Sequence, residues 1–293
     1  MRIAHATDIH WFEPPSLGRL LSKRLIGSAN LYLAGRRHHF DRGVQSALVD
    51  ALAEARPDVL VITGDLTAQA LPEEFEAARL ALAPVLDAQP TLVQCGNHDV
   101  YTRGARDARR LEGTFGPWMH PTPAGIARLD VGPLTVLGLD PNRPHPLASG
   151  YVPPAQLDAL ARSLREVPPD RAVLLAQHYP VLDRRGRVYD GVEHGLRNAA
   201  ELIDVLRAAP RRPDLIIHGH VHHGFRATLD LGDASVPVFN PGSGGYAWLP
   251  EEDRAACFNV YDVTPGQPVG VERLRYDGRR FAPEPGGPYA TGR

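Results

Sequence analysis

Carboxylate, imidazole and amide side chains recur in five short clusters of the sequence, each placed directly after a run of apolar residues. The clusters are Asp8-Ile9-His10, Gly64-Asp65, Gly96-Asn97-His98-Asp99, His178 and His218-Gly219-His220-Val221-His222-His223. Their oxygen and nitrogen donors suit divalent first-row metals such as Mn, Fe, Co, Ni or Zn. A zinc finger is excluded, because the chain has only 2 cysteines and they are far apart. Each cluster alone is weak evidence, but all five in this order indicate a metal site.

The spacing inside the clusters predicts which side chains share an ion. In an extended segment, residues one and three point to the same side, so Asp8 and His10 are expected to hold one metal together. For the same reason, His220 and His222 are expected to face one site. Sharp backbone turns beside the ligands are expected at Gly64, Gly96 and Gly219. The alternatives for single residues are a helix cap at Asp65, a turn cap at Asp99 and a structural group at His178.

The elements that must position these clusters alternate between strands and helices, which is typical of an α/β fold. Strands are predicted at residues 2–7, 59–63, 91–95, 172–177 and 215–217. Helices are predicted at residues 40–55, 72–86, 154–165 and 196–208. A hairpin is predicted at 126–131 and 134–139, and further strands of a mixed or second sheet at 224–229, 236–240, 257–263 and 269–276. Ligands of α/β sheets bind where the strands end, which is where the polar clusters lie.

Length and charge limit the class of protein. The chain has 293 residues, 43% of them hydrophobic, and a formal net charge of -2, which suits a folded protein and argues against a general nucleic-acid binder. No apolar run approaches the roughly 18 residues that cross a bilayer. No signal peptide is recognised, so a cytoplasmic location is expected. One domain over residues 1–281 and a flexible tail over 282–293 are predicted, because no linker divides the chain and its end is rich in Pro and Gly.

The ordered set D-x-H, G-D, G-N-H-D, H and G-H-x-H resembles the calcineurin-like metallophosphoesterase superfamily. The resemblance extends from Asp8 to His222, and Asn240-Pro241-Gly242-Ser243 resembles a segment common in bacterial members. It implies an α/β/β/α fold, a sandwich of two mixed sheets flanked by helices with two metals at the strand ends. It also implies the metal ligands: one ion held by Asp8, His10 and His222, the other by Asn97, His178 and His220, with Asp65 bridging both.

The same resemblance implies a mechanism. Two divalent ions (Mn favoured, Fe or Zn as alternatives) would lower the pKa of a bridging water, and the resulting hydroxide would attack phosphorus in line. His98 would assist the leaving oxygen, and Asp99 would hold the tautomer of His98. The neighbouring histidines His5, His218 and His223 are expected to be structural.

Two segments could contact the substrate. Residues 11–40 are long for a strand-to-helix connection, and between Glu13 and Asp41 they carry basic but no acidic residues. This cap insertion could cover an anionic or lipid-bearing substrate, touch the inner membrane surface through residues 16–40, or simply pack on the domain. The second segment follows His178 and offers Arg184, Arg185, Arg187 and His194 as substrate-binding residues.

The favoured function is that of a phosphodiesterase acting on a small phosphorylated substrate such as a cyclic nucleotide. The alternatives are a pyrophosphate hydrolase of a nucleotide-linked lipid precursor (UDP-diacylglucosamine type), a phosphomonoesterase and a non-catalytic metal-binding scaffold. Serine/threonine protein phosphatases rank low, because they carry Glu where this chain has Asp99. A nuclease would need a basic groove that the composition does not indicate. The sequence leaves the natural substrate, the native metals and the oligomeric state open.

Overall fold

The computed structural model describes residues 1–13, 39–143, 148–191 and 193–290. Within these ranges, two six-stranded mixed sheets pack face to face, and helices cover the outer face of each. This confirms the predicted α/β/β/α sandwich. Most of the predicted cap insertion, residues 14–38, lies outside the described residues.

The first sheet carries three parallel strands beside three antiparallel ones. With strands numbered along the chain, it contains β1 (Arg2–Ala6), β2 (Val59–Ile62), β3 (Thr91–Val93), β10 (Cys257–Asp262), β11 (Gly270–Tyr276) and β12 (Phe281–Pro283). The spatial order is β12-β11-β10-β1-β2-β3, and β1, β2 and β3 run parallel. The register pairs Ile3 with Val59 and Ala6 with Ile62. Strand β2 is apolar throughout because both of its faces are buried.

The second sheet has four parallel strands between two antiparallel edge strands. It contains β4 (Ala127–Val131), β5 (Leu134–Gly138), β6 (Ala172–Ala176), β7 (Leu215–Ile217), β8 (Phe225–Asp230) and β9 (Ser235–Asn240). The order is β4-β5-β6-β7-β9-β8, with β5, β6, β7 and β9 parallel. The predicted hairpin is β4–β5, which pairs antiparallel. Because the parallel strands of each sheet end at one edge, the loops after β1, β2, β3, β6 and β7 bring the polar clusters together.

The described α-helices form the two outer layers and the connections at the ligand edge. They are α1 (Arg42–Ala55), α2 (Pro72–Leu86), α3 (Arg103–Asp107), α4 (Arg110–Phe115), α5 (Pro154–Glu166) and α6 (Ala199–Ala208). Leu48 of α1 and Phe75 of α2 pack on the first sheet, and Leu160 of α5 and Leu206 of α6 on the second. Fully burying such a side chain contributes roughly 1.5–3 kcal/mol. Of the helices in the described ranges, none has the length and apolar character needed to span a membrane.

Most elements begin and end within two residues of the predicted positions. Helix α6 is an exception, because Leu196 forms a bridge with Gly150 and the helix starts only at Ala199. Helices α3 and α4 were not predicted, because each is too short to show a helical period.

Residues 282–290 differ from the prediction of a flexible tail over residues 282–293, while residues 291–293 lie outside the described residues. Residues 281–283 form β12, and a buried ion pair follows, in which Arg273 Nη1 donates to Glu284 Oε1 at 2.7 Å. The other oxygen, Glu284 Oε2, accepts from Tyr289 N at 2.6 Å, while Arg273 Nε donates to Pro241 O at 2.9 Å. Side-chain contacts therefore hold the segment as far as Tyr289, whose Oη accepts from Asn259 Nδ2 at 2.7 Å, and the Pro- and Gly-rich composition gave no sign of them.

Replacing Glu284 with Ala is expected to lower the free energy of unfolding by about 3–5 kcal/mol, because the buried Arg273 guanidinium loses its counter-charge. Denaturant titration followed by circular dichroism measures the loss. The control is Asp204→Ala, whose pair with Arg207 is exposed and should contribute less than about 1 kcal/mol. Equal losses in the two variants would show that the buried pair does not anchor the C-terminal segment.

Candidate metal centre

The structure brings all seven predicted metal ligands together in two groups that share one carboxylate. The first group consists of Asp8, His10, Asp65 and His222. The second consists of Asp65, His178 and His220, with Asn97 beside the two histidines. Within each group, the carboxylate and imidazole ligand atoms all lie within 4.8 Å of one another. The members come from loops of both sheets, so the site sits across the shared edge of the sandwich.

In the first group, two imidazoles and two carboxylates face one point. His10 Nε2 lies 3.0 Å from His222 Nε2 and 3.6 Å from Asp65 Oδ2. His222 Nε2 lies 3.1 Å from Asp8 Oδ1. Two imidazole nitrogens this close repel each other unless a proton or a cation lies between their lone pairs.

In the second group, an amide oxygen replaces one carboxylate. Asn97 Oδ1 lies 3.0 Å from His178 Nε2 and 2.8 Å from His220 Nδ1. His178 Nε2 also lies 3.4 Å from Asp65 Oδ2. The other ring nitrogen, His178 Nδ1, is 2.7 Å from Thr63 O, so it donates to this carbonyl and the ring is fixed with Nε2 directed at the group.

Asp65 is the residue that belongs to both groups. Its Oδ1 accepts a hydrogen bond from His98 N at 2.8 Å. Its Oδ2 is buried without a hydrogen-bond partner among the described residues, and it faces His10 Nε2 and His178 Nε2 from the two groups. A buried carboxylate oxygen left in this position needs a positive charge nearby.

Burial and neighbouring charges shift the pKa values of the side chains in the two groups. Burial alone would raise the pKa of Asp65, but the charges of His178 and His98 hold it well below its usual range. Burial would lower the pKa of His178, yet the charge of Asp65 raises it to about 9. Burial keeps the pKa of His10 and of His220 well below the ordinary value. The charge of Asp65 and a proton on His178 therefore stabilise each other, and a metal cation bound by His178 Nε2 would compete with that proton.

The residues present fit a divalent metal ion at each group. Carboxylate, neutral imidazole and amide oxygen are the donors that Mn, Fe and Zn accept. A cation in the first group would also satisfy the unpartnered Asp65 Oδ2 and separate the facing nitrogens of His10 and His222.

The ligands share an uncommon backbone conformation. Five of them have positive φ, namely Asp8 (53°), His10 (55°), Asp65 (55°), His220 (73°) and His222 (57°). Such conformations cost a non-glycine residue roughly 1–3 kcal/mol and are typical of functional sites. Asp8 and His10 do share a group as predicted, but through this bent loop and not through strand alternation, because β1 ends at Ala6. The alternation argument is wrong for His220 and His222, which point into different groups, as the family resemblance implied.

The predicted glycines serve two different purposes. Gly64 has φ 95° and makes the expected sharp turn. Gly96 is needed for close approach, because a Cβ there would collide with the backbone and the carboxylate of Asp65. The same holds at Gly219, where a Cβ would collide with Thr7 and Asp8.

Residues 240–245, here called the clamp, join the end of β9 to both ligand loops. Ser243 Oγ donates to Asp8 O at 2.6 Å, and Ser243 N donates to His222 O at 3.2 Å. Asn240 Nδ2 donates to Gly219 O at 2.8 Å. The Asn-Pro-Gly-Ser segment noted in the sequence therefore fixes the first and last ligand loops against each other.

The structure corrects the role predicted for Asp99. His98 Nδ1 lies 2.7 Å from Ala68 O, so a backbone carbonyl holds the tautomer of this ring. Both oxygens of Asp99 are used elsewhere: Oδ1 accepts from Thr67 N at 2.9 Å and Oδ2 from Gly96 N at 2.9 Å. The prediction that Asp99 orients His98 is therefore wrong. Asp99 instead connects the loop after β2 to the loop after β3. This role resembles the turn cap, which was the alternative prediction for Asp99.

The histidines predicted to be structural lie behind or beside the ligands. His5 and His218 are fully buried, and burial lowers their pKa to about 3 and about 4, so both are neutral at pH 7. His5 Nε2 lies 2.8 Å from Thr63 Oγ1. The ring of His223 packs 5.9 Å from that of Phe225. None of the three belongs to either ligand group.

The loop after His178 brings only part of the predicted substrate-binding set to the site. The ring of His194 lies 5.5 Å from the ring of His220. The guanidinium of Arg187 pairs with Asp183 through Nε at 2.9 Å and Nη2 at 2.8 Å, within a tight turn. Neither Arg184 nor Arg185 has a described side-chain hydrogen bond or ion pair, and the substrate-binding role of this set stays a prediction.

Two contacts at the site were not predicted. Tyr246 Oη lies 3.1 Å from His222 Nδ1 and fixes the orientation of this ligand. Tyr246 is far from any of the five clusters in sequence, and only its place after the clamp hinted at its position. The second is the carbonyl of Ala68, a backbone group that no residue type could have indicated.

Comparisons with known proteins agree with this geometry. The family model "Calcineurin-like phosphoesterase" matches residues 1–224. A protein of Rhodococcus erythropolis named "Probable cyclic nucleotide phosphodiesterase" is 32% identical over 298 aligned positions, which cover 90% of this chain and 92% of that protein. A "cAMP/cGMP dual specificity phosphodiesterase" of Mycobacterium tuberculosis is 30% identical over 190 positions, 62% of this chain and 53% of that protein.

Solved structures support the fold. The purple acid phosphatase PPD1 from yellow lupin seeds superposes with a TM-score of 0.62 at 12% identity, covering 96% of this chain and 52% of that chain. At this identity the likeness concerns the fold alone. The family model matches residues 1–224, and the Rhodococcus erythropolis relative is 32% identical across 90% of this chain. This chain therefore belongs to the calcineurin-like phosphoesterase family and is a phosphoric ester hydrolase.

Proposed function

We propose that this chain is a phosphodiesterase that hydrolyses small phosphodiesters of the cyclic-nucleotide type with two divalent metal ions. The observation that carries the proposal is the convergence of seven side chains in two groups that share Asp65. The substrate class is supported by the names of the relatives from Rhodococcus erythropolis and Mycobacterium tuberculosis.

In this proposal, each group holds one ion. Asp8, His10 and His222 would hold the first, Asn97, His178 and His220 the second, and Asp65 both. When bound, the ions would polarise the phosphoryl oxygens and activate a water molecule for attack on phosphorus. The protein contributes preorganisation, since the ligand rings of His178 and His222 are already aimed by Thr63 O and Tyr246 Oη.

His98 is the proposed general acid. A carbonyl only accepts hydrogen bonds, so the contact with Ala68 O places a proton on Nδ1 and leaves Nε2 to give or take the catalytic proton. The ring lies 4.7 Å from that of His10, at the rim of the first group. Protonated His98 can therefore donate from Nε2 to the leaving oxygen of a substrate held there.

An exposed aromatic ring beside His98 supports a nucleotide substrate. Tyr101 is 45% exposed, and its ring stacks on that of His98 at 5.6 Å with an interplanar angle of 25°. Nucleobases stack on such rings regardless of sequence. A base could therefore rest on Tyr101 while its phosphate reaches the ligand groups.

Substrate preference tests the proposal directly. The purified protein, loaded with Mn²⁺, is expected to hydrolyse bis-p-nitrophenyl phosphate faster than p-nitrophenyl phosphate, and to cleave 3′,5′-cyclic AMP or cyclic GMP. The panel should include 2′,3′-cyclic nucleotides, glycerophosphodiesters and UDP-diacylglucosamine. A preference for the monoester, or cleavage of the UDP-linked lipid alone, would overturn the cyclic-nucleotide assignment.

Asp65→Ala is expected to abolish activity and to reduce the bound metal, because both ions lose a ligand. Elemental analysis of the purified variant gives the metal content, and circular dichroism checks the fold. A suitable control is Asp214→Ala, since this carboxylate accepts from Val173 N at the opposite end of the strands. A fully metal-loaded Asp65→Ala protein would contradict the bridging role.

His98→Ala is expected to keep its metal but lose roughly 10²–10⁴-fold in kcat, the usual contribution of a general acid. The fall in kcat at high pH that comes from deprotonation of the general acid should be absent in this variant. His120→Ala is the matched control, because His120 Nε2 contacts the carbonyl of Thr91 away from both groups. An unchanged rate in His98→Ala would assign the proton transfer to another group.

A further inference from the structure

Arg143 is a half-buried cation without a carboxylate partner among the described residues. Its Nε is buried and unpaired, and its guanidinium lies over the ring of Tyr151 at 5.1 Å. The other described arginines with a buried, unpaired Nε all pair through a terminal nitrogen, as Arg211 does with Asp214, Arg212 with Asp233 and Arg254 with Glu252. Arg143 therefore differs from them, because no carboxylate of the described residues pairs with it.

The backbone beside Arg143 is fixed to the second ligand group. Asn142 Nδ2 donates to Cys95 O at 2.7 Å, and Cys95 lies two residues before the ligand Asn97. Arg106 Nη1 donates to Asn142 O at 2.9 Å and secures the same loop from the other side. These contacts hold Arg143 next to the loop that carries Asn97.

A second line of contacts leads from Arg143 to His220 of this group. Gly150, the neighbour of Tyr151, lies so close to the ring of Tyr179 that a Cβ would collide with it. The Tyr179 ring lies 4.2 Å from the ring of His220.

We propose that Arg143 is a substrate-binding residue whose guanidinium binds an anionic phosphoryl oxygen of a substrate held at the second group. This inference rests on the proposed phosphodiesterase function and adds to it the residue that recognises the substrate's charge. A guanidinium can offer two parallel N–H groups to phosphoryl oxygens. The Tyr151 ring lies against the guanidinium at 5.1 Å and helps to hold it in place for such an anion.

Inorganic phosphate is the probe that tests this role without turnover. Calorimetric titration of the Mn²⁺-loaded protein should give a phosphate Kd about 10- to 100-fold higher in Arg143→Gln than in the unsubstituted protein. The KM for bis-p-nitrophenyl phosphate should rise by a similar factor, with a smaller change in kcat. Arg143→Lys should recover part of both, because it keeps the charge but not the paired donors.

The matched control is Arg212→Gln, which removes a half-buried arginine that pairs with Asp233 and lies before β7, at the end of the strands opposite the ligand groups. It should leave the phosphate Kd and the KM unchanged. An unchanged phosphate Kd in Arg143→Gln overturns the inference, and so does a rise that comes with loss of metal. If the protein hydrolyses no phosphodiester but Arg143→Gln still weakens phosphate binding, the proposed function fails while the role of Arg143 stands.

Discussion

Two buried carboxylates, Asp8 and Asp65, set the conditions for the rest of this structure. An ionised carboxylate in a protein interior is costly unless hydrogen bonds and opposite charge compensate it. Thr7 Oγ1 and His220 N donate to Asp8 at 2.8 and 2.9 Å, and His98 N donates to Asp65 at 2.8 Å. The remaining compensation comes from imidazoles, or from cations in their place. The loops that follow the strands hold these two carboxylates in position, and the clamp fixes the loops against each other.

The sandwich achieves this by joining two sheets at one edge. Neither sheet alone carries a complete group, since Asp8 and Asp65 follow strands of the first sheet and His220 and His222 follow a strand of the second. The clamp then links the loops, through Ser243 to Asp8 O and through Asn240 to Gly219 O. Arg273 reaches the same segment through Pro241 O, so the C-terminal strands take part in holding the site.

Sequence reasoning succeeded where residue type and strand position carry the information. The meeting of the polar clusters at one edge was predicted, because donor side chains that follow apolar strands come together where the strands end. The two-sheet plan and the set of seven ligands came from the family resemblance, and the metal-binding role of that set stays a prediction. Sequence reasoning failed where a backbone carbonyl or a residue distant in sequence orients a side chain. The ring of His98, for example, is oriented by Ala68 O and not by Asp99. Tyr246 and the pair Arg273–Glu284 were missed for the same reason. Left-handed conformations at predicted ligands such as Asp8 were also missed, because residue type alone does not show which aspartates and histidines adopt positive φ.

Those left-handed ligands have an evolutionary consequence. Glycine would adopt the same backbone with less strain than aspartate or histidine. At these five positions, selection for thermal stability and selection for turnover favour different residues. A descendant of this chain released from its chemistry would therefore drift away from the ligand set first, while its strands and cores stayed intact.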